Sequence, residues 1–411
     1  MRKALILFMP MMARQSWRTL TGIAILLAVI IGNVLFLHEA FTARFPGGND
    51  SIPRWVGTLA WFTEGLNPYS DEVTNRAQTM IYGRLARPDE DQQRFVYPFY
   101  TVFFYLPLLW LNYEWARAVG MVLLEASLII TVIGSLRLYA WSPPLWLRAT
   151  TLGWAILFYH GARTILIWQI AGMVAALLAV ALWAIKEKRD VLAGLCLALA
   201  TIKPQMTFLL VPLLGVWALT AWRWRLAASI SISMAVLLGA SFLLLPSWLN
   251  DMRRQLADYT NYTHIGSPLN ILTQTVFPFL GQSVEWALIT VLVIWLVWEW
   301  WQVRRRADGR FGWVLALTLV LTNMIVTRTA TTNYVMMIPA LIYLFTVAAR
   351  RYGSRSGVGI VVVELALFLG LWALFLATVQ GRDEQWPVYL PLPLLLLAGL
   401  IFCRPKSVAD A

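Results

Sequence analysis

Long apolar runs recur from residue 19 to residue 403, and most of the charge is gathered in the short stretches between them. That pattern constrains the chain more than any other feature. At about 20 apolar residues per membrane-spanning helix, a chain of 411 residues has room for about ten to thirteen spans. The composition agrees with this, since 59% of residues are hydrophobic and 13% are charged, where a soluble domain carries roughly a quarter charged residues. A secreted disulfide scaffold, a disordered tail and a large soluble catalytic domain are excluded. The formal charge of +12 fits basic loops that orient a multi-pass protein better than nucleic-acid binding, and no nucleic-acid partner is expected. Cys196 and Cys403 both fall in apolar runs, so neither a disulfide framework nor a zinc site is expected.

Charge then sets the topology. Arg2, Lys3, Arg14 and Arg18 precede the uncharged run Thr19 to Leu37, which reads as a retained first span with a cytoplasmic N-terminus. Residues 38–97 form the longest polar stretch of the chain, and the apolar run 98–111 is short and holds Pro98 and Pro107. Taken as an interfacial or re-entrant helix, that run leaves later charges on consistent sides. Further spans are expected at about 114–136, 149–161, 164–185, 190–202, 205–221, 226–246, 283–302, 311–328, 332–348, 358–378 and 387–403, twelve in all with the first. Of 33 basic residues, 20 then lie on the inner side, including Arg137, Lys186, Arg223, Arg304, Arg350 and Arg404. Thirteen acidic residues, among them Glu39, Asp50, Glu64, Asp251, Asp258 and Glu384, lie on the other. The expected architecture is an all-α polytopic membrane protein, one integral domain over 1–411. An outer loop at 38–112 carries interfacial helices, and a second outer loop lies at 247–282. Both termini are cytoplasmic, and chemistry belongs on the outer face.

Three stretches then stand out in order. Gly48-Asn49-Asp50 precedes an amphipathic run that ends Glu64-Gly65-Leu66-Asn67-Pro68-Tyr69; Tyr97-Pro98-Phe99-Tyr100 leads to Leu106-Pro107-Leu108; and Trp168-Gln169 is followed by Ala193-Gly194 and by Ile202-Lys203-Pro204-Gln205. Together with a long outer loop after the first span, they resemble the GT-C superfamily of membrane glycosyltransferases. The closer resemblance is to glycosyltransferase family 87, the polyprenyl-phosphate-mannose-dependent α-mannosyltransferases. The resemblance covers about the first 220 residues. The chain departs from the family pattern at Ser51, where an aromatic residue is usual, at Phe99, which replaces a second proline, and at Trp168, which replaces a glycine.

Sugar transfer needs a base for the attacking hydroxyl and positive charge for the departing phosphate. The resemblance implies that Asp50 is the catalytic base. The competing reading makes Asp50 the cap of the helix that begins near Ile52, and Glu39 is a second carboxylate nearby. Basic residues at outer span ends, Lys203, Arg328 and Arg163, are candidates for the donor phosphate. Lys203 stands between an apolar run and a proline, where a charge is costly without a partner. His264, in the second outer loop, is a candidate for proton transfer or phosphate contact. Trp55, Trp61, Tyr97 and Gln169 are candidates for sugar or lipid contact, whereas most of the 22 tryptophans sit near span ends as an aromatic belt. No metal and no cofactor are expected. The resemblance implies inverting, metal-independent transfer of mannose from a polyprenyl-phosphate donor to a glycolipid or polysaccharide acceptor, with membrane lipids as the other partners, in a bacterial inner (plasma) membrane. A lipid or polysaccharide transporter is the rival reading, and Glu125 and Glu364 are its deep acidic candidates.

Overall fold

A computed structural model describes residues 2–45, 47–262, 266–305, 309–327, 329–381 and 384–405. Helix dominates throughout. α1 (Arg2–Leu37) runs into a π-helical turn, His38–Thr42, at the start of the long loop. The loop holds α2 (Ile52–Glu64), ended by Gly65 in the left-handed region, and α3 (Asp71–Tyr82), capped by the Ser70 hydroxyl on the Val73 amide at 3.3 Å. Residues 99–108 then form three short pieces, with α4 (Val102–Tyr105) between two 3-10 turns. Ten helical residues rise only about 15 Å, so this run cannot cross a bilayer and instead lies against the bundle.

The bundle continues with α5 (Tyr113–Leu138), capped by Asn112, α6 (Leu145–Leu157), α7 (Tyr159–Leu166), α8 (Ala171–Lys186), α9 (Asp190–Ala200), α10 (Leu210–Thr220) and α11 (Trp224–Leu244). The second loop carries α12 (Trp248–Tyr262) and the single turn α13 (Pro268–Asn270). α14 (Gly281–Gln302), α15 (Gly309–Ile325), α16 (Ile338–Tyr352), α17 (Ser356–Thr378) and α18 (Pro391–Phe402) complete it. Five stretches are long and apolar enough to cross a membrane: Thr19–Thr42, Tyr113–Leu138, Trp224–Leu244, Pro278–Gln302 and Thr331–Thr378, the last holding both α16 and α17. α8, α9, α10 and the helices at Arg310–Ile325 and Trp386–Phe402 are apolar but shorter.

Two regions differ from the spans read in the sequence. Between 149 and 185 the chain breaks at Phe158, which is extended, and again at Trp168–Ile170, so α7 is a separate eight-residue helix. α9 and α10 have eleven residues each, about 16 Å of helix, half of a hydrocarbon core about 30 Å thick. They run out and back as an open hairpin, α9 packing on α8 and α11 instead of on α10; its base is closed by an ion pair between Asp190 and Arg223, and its tip carries Lys203. Small residues let these helices approach closely: Gly134 of α5 lies against Ala179 of α8, and Gly194 of α9 against Ser229 of α11.

The ends of the bundle are unlike. At one end Lys186 Nζ donates to the Leu138 carbonyl at 2.8 Å, Arg350 to the Tyr139 carbonyl at 3.2 Å, and Arg310 and Arg404 both reach the fully buried Glu299, at 2.6 and 2.5 Å. Lys186 and Arg350 thus meet carbonyls at the C-terminus of α5, where positive charge is favoured, and Arg310 and Arg404 meet a carboxylate. At the other end the two loops join. Asn67 donates to Asp251 at 2.8 Å, Gln255 to the Tyr69 carbonyl at 2.7 Å, and Arg94 to Gln255 at 2.7 Å. Between the ends, Glu125 accepts from Asn33 at 2.5 Å, tying α1 to α5, and Glu364 accepts from Thr151 at 2.6 Å, tying α17 to α6. The two deep carboxylates serve separate interhelical contacts and do not make a shared polar site of the kind a transport path needs.

Candidate active site

The turn before α2 is built to hold Asp50. Gly48 has a φ of +74°, in the left-handed region that favours glycine, and a side chain there would meet the Tyr113 hydroxyl at 2.7 Å. Tyr113 and Arg117, one turn apart on α5, clamp this turn. The Tyr113 hydroxyl donates to the Gly47 carbonyl at 2.6 Å, and buried Arg117 donates to the carbonyls of Phe45 at 2.7 Å and Leu166 at 3.1 Å. Neither residue stood out in the sequence, although their i, i+4 spacing at the start of α5 puts them on one helix face.

Asp50 does not cap α2. Ser51 occupies the cap position without a capping bond from its side chain, and its hydroxyl instead donates to the Trp168 carbonyl and lies 2.7 Å from the Tyr105 hydroxyl. The Asp50 carboxylate accepts a hydrogen bond from Gln169 Nε2. The turn between α7 and α8 therefore grips two successive residues of the loop, Ser51 through a main-chain oxygen and Asp50 through a side chain.

That turn explains the tryptophan found where the family pattern has glycine. Trp168 is in the left-handed region at φ +52°, a conformation that costs a residue with a Cβ about 1–2 kcal/mol. Its indole packs on Gly120 of α5 and near Tyr105 and Tyr113, with ring centroids 5.8 Å away in both cases. A Cβ at position 120 would fall 2.0 Å from Trp168 Nε1. Gly120→Ala should therefore displace the indole and, with it, both grips on the loop. We expect a loss of about 1–3 kcal/mol of stability from overpacking and a drop in activity of at least about tenfold. Gly153→Ala, whose Cβ meets nothing within 4 Å, should leave both unchanged. Thermal unfolding and turnover of the two variants check this.

Lys203, at the tip of the α9–α10 hairpin, is 1% exposed, and its ammonium has no hydrogen-bond partner among the described residues. It lies within electrostatic reach of Asp50 and of Arg54, a second buried cation. Arg54, one turn into α2, stacks over the Tyr97 ring at 4.1 Å. Burial raises the Tyr97 phenol above its usual range, and the Arg54 guanidinium pulls it back. The Tyr97 hydroxyl also meets Gln205, beyond the hairpin tip, and Tyr100 bonds Thr201 at 2.9 Å. The loop segment 97–100 thus closes over the hairpin that holds Lys203. Arg54 was not singled out in the sequence, where it looks like any charge on an amphipathic helix.

The other candidates fall at varying distances from this cluster. Arg163 feels the Asp50 charge but is ion-paired with Glu384 at 3.1 Å. Glu384 is buried and also takes the hydroxyls of Tyr159, Thr331 and Tyr389, so Arg163 has an internal counter-ion. Trp55 packs edge-on against Tyr113 at 5.3 Å, and Trp61, farther along α2, against Phe99 at 5.1 Å. Glu39 pairs with its neighbour His38 at 2.9 Å, and the His38 ring stacks on Trp115. His264 and Arg328 lie outside the described residues. An Asp-x-Asp occurs at Asp89-Glu90-Asp91, but Glu90 is held by Arg84 at 2.7 Å and Asp91 takes the Gln93 amide. Among the described residues no three acidic, histidine or cysteine side chains converge as a metal site.

A carboxylate held in place beside two buried cations, on a multi-helix apolar frame, can accept a proton while positive charge steadies an anion. No curated protein and no solved structure matches the chain. The model of glycosyltransferase family 87 matches residues 95–274, the stretch that supplies Tyr97, Gln169 and Lys203 to this cluster, and this match supports membership of that family.

Proposed function

We propose that this glycosyltransferase moves mannose from a polyprenyl-phosphate donor to a hydroxyl of a glycolipid or polysaccharide acceptor. The reaction takes place at the outer face of a bacterial inner membrane. Asp50 takes the proton of the acceptor hydroxyl as its oxygen forms a bond to the anomeric carbon from the side opposite the phosphate. The bond from that carbon to the phosphate oxygen breaks, the configuration inverts, and polyprenyl phosphate leaves as an anion. Lys203 and Arg54 supply the positive charge that steadies it. Gln169 orients the carboxylate, and Tyr97 holds Arg54.

The observation that carries this reading is the ammonium of Lys203, buried within electrostatic reach of Asp50 and without a hydrogen-bond partner among the described residues. An unpaired charge taken out of water costs several kcal/mol, and an anionic ligand would offset that cost. The outer-face assignment draws on the positive-inside rule, since the basic turns gather at the end opposite the two loops. Arg163, with Glu384 as its partner, fits a supporting role at the rim better than direct phosphate contact.

Purified protein in nanodiscs, given a glycolipid acceptor extract, should transfer radiolabelled mannose from polyprenyl-phosphate mannose. It should transfer none from a nucleotide-linked mannose. Equal transfer from the nucleotide sugar would contradict the proposal.

A further inference from the structure

The opposite end of the bundle holds a second place where an anion fits, unrelated to the transfer site. A cavity of about 580 Å³ lies between α16 and α17, beside the turn Gly353–Arg355 that joins them. Arg351 and Arg355 form its basic part, and Phe345, Ile360 and Val363 are apolar residues of its lining. Neither arginine is ion-paired among the described residues. On the same end of the molecule Arg223 is paired with Asp190, and Arg310 and Arg404 share Glu299. The acid of α17, Glu364, lies more than two turns deeper than Arg355 and is bonded to Thr151. Gly359 of α17 is part of this lining, and an added Cβ there would stand in open space, meeting nothing within 4 Å.

We infer that this cavity seats one anionic phospholipid, its phosphate between Arg351 and Arg355 and an acyl chain along Phe345, Gly359 and Val363. Charge decides the class of lipid. Two guanidinium groups without a protein counter-ion attract a headgroup of net negative charge, whereas a zwitterionic headgroup brings an ammonium toward them. Arginine suits this role because its planar fork binds phosphate oxygens two at a time. Basic pockets between spans at this level of a membrane protein bind anionic headgroups by the same physics. The apolar lining distinguishes a seat from a merely basic surface, because it gives the acyl chain a face to lie against beside the two arginines.

Native mass spectrometry of the full chain tests this, in detergent doped with equal amounts of phosphatidylglycerol and phosphatidylcholine of matched chains. The wild type should retain one phosphatidylglycerol in preference to phosphatidylcholine. Arg351→Gln with Arg355→Gln should lower that retention by at least about tenfold. Gly359→Leu keeps both arginines but fills the cavity, and should lower retention as well. Arg304→Gln with Arg305→Gln, at another basic turn, should not. Equal retention of the two lipids by the wild type would overturn the inference, as would undiminished phosphatidylglycerol on Gly359→Leu. Should the double arginine variant fail to fold, Gly359→Leu alone decides the matter.

Discussion

Replacing Asp50 with Asn is expected to lower sugar transfer by about 10²–10⁴-fold, the range for loss of a general base, while the protein still folds and still binds donor. The substitution keeps the size and planar shape of the side chain, and the remaining carbonyl oxygen can still accept from Gln169 Nε2, the partner of Asp50 here. What disappears is the capacity to take a proton at neutral pH. Stability should change little, because Ser51, not Asp50, stands at the cap position of α2, and the Asp50 carboxylate bonds Gln169 instead. Donor affinity should hold or rise, since the change removes a negative charge that lies within reach of Lys203 and Arg163. Initial rates of transfer and donor binding, measured on the same preparation, separate the chemical step from binding. Near-wild-type transfer by Asp50→Asn would remove the base from this position. Glu39 is then the nearest alternative in sequence, although it is paired with His38.

The second large effect is expected at Lys203, with opposite signs in two measurements. Lys203→Met keeps an unbranched side chain of similar volume and deletes the charge. Losing one partner of a buried phosphate–ammonium pair costs about 2–5 kcal/mol, about 30- to 4000-fold in donor affinity. The empty protein should at the same time become more stable by about 1 kcal/mol or more. A buried ammonium without a hydrogen-bond partner gives way to an apolar group, and such exchanges are often stabilising. Lys203→Arg should recover part of the affinity, because charge returns but the guanidinium must fit a site only 1% exposed. A loss of both stability and affinity in Lys203→Met would make the residue a structural one. Thermal unfolding beside a donor-binding titration distinguishes the cases.

Much of this arrangement is legible in the chain before folding, because it depends on local signals. The recurrence of apolar runs requires helices, and the proline-bearing run 98–111 is visibly shorter than the others. The glycine ahead of Asp50 and the lysine at a proline break mark the two points that the fold joins. Lengths within the bundle are less legible. α9 and α10 read as a pair of spans, yet each covers only half a bilayer, because Lys203-Pro204 interrupts the run and nothing local states how deep the hairpin tip lies. The partners of the site are the least legible of all. Arg54 is brought to Asp50 and Lys203 by the packing of α2 on the loop segment that carries Tyr97. Glu384 reaches Arg163 across 221 residues of sequence. Trp168 stands out in the sequence only as a substitution for glycine. Its compensation, Gly120, lies on another helix, where a single glycine in an apolar run carries no signal of its own.

Asp50 and Lys203 are expected to face the same ligand from opposite sides of the bond that breaks. A density map of the wild-type protein with polyprenyl-phosphate mannose bound tests it most directly. The phosphate should lie within about 3 Å of Lys203 Nζ, the length of a charged hydrogen bond, and the Asp50 carboxylate on the side of the anomeric carbon away from the phosphate. A phosphate seated away from Lys203, with the sugar out of reach of Asp50, would contradict it.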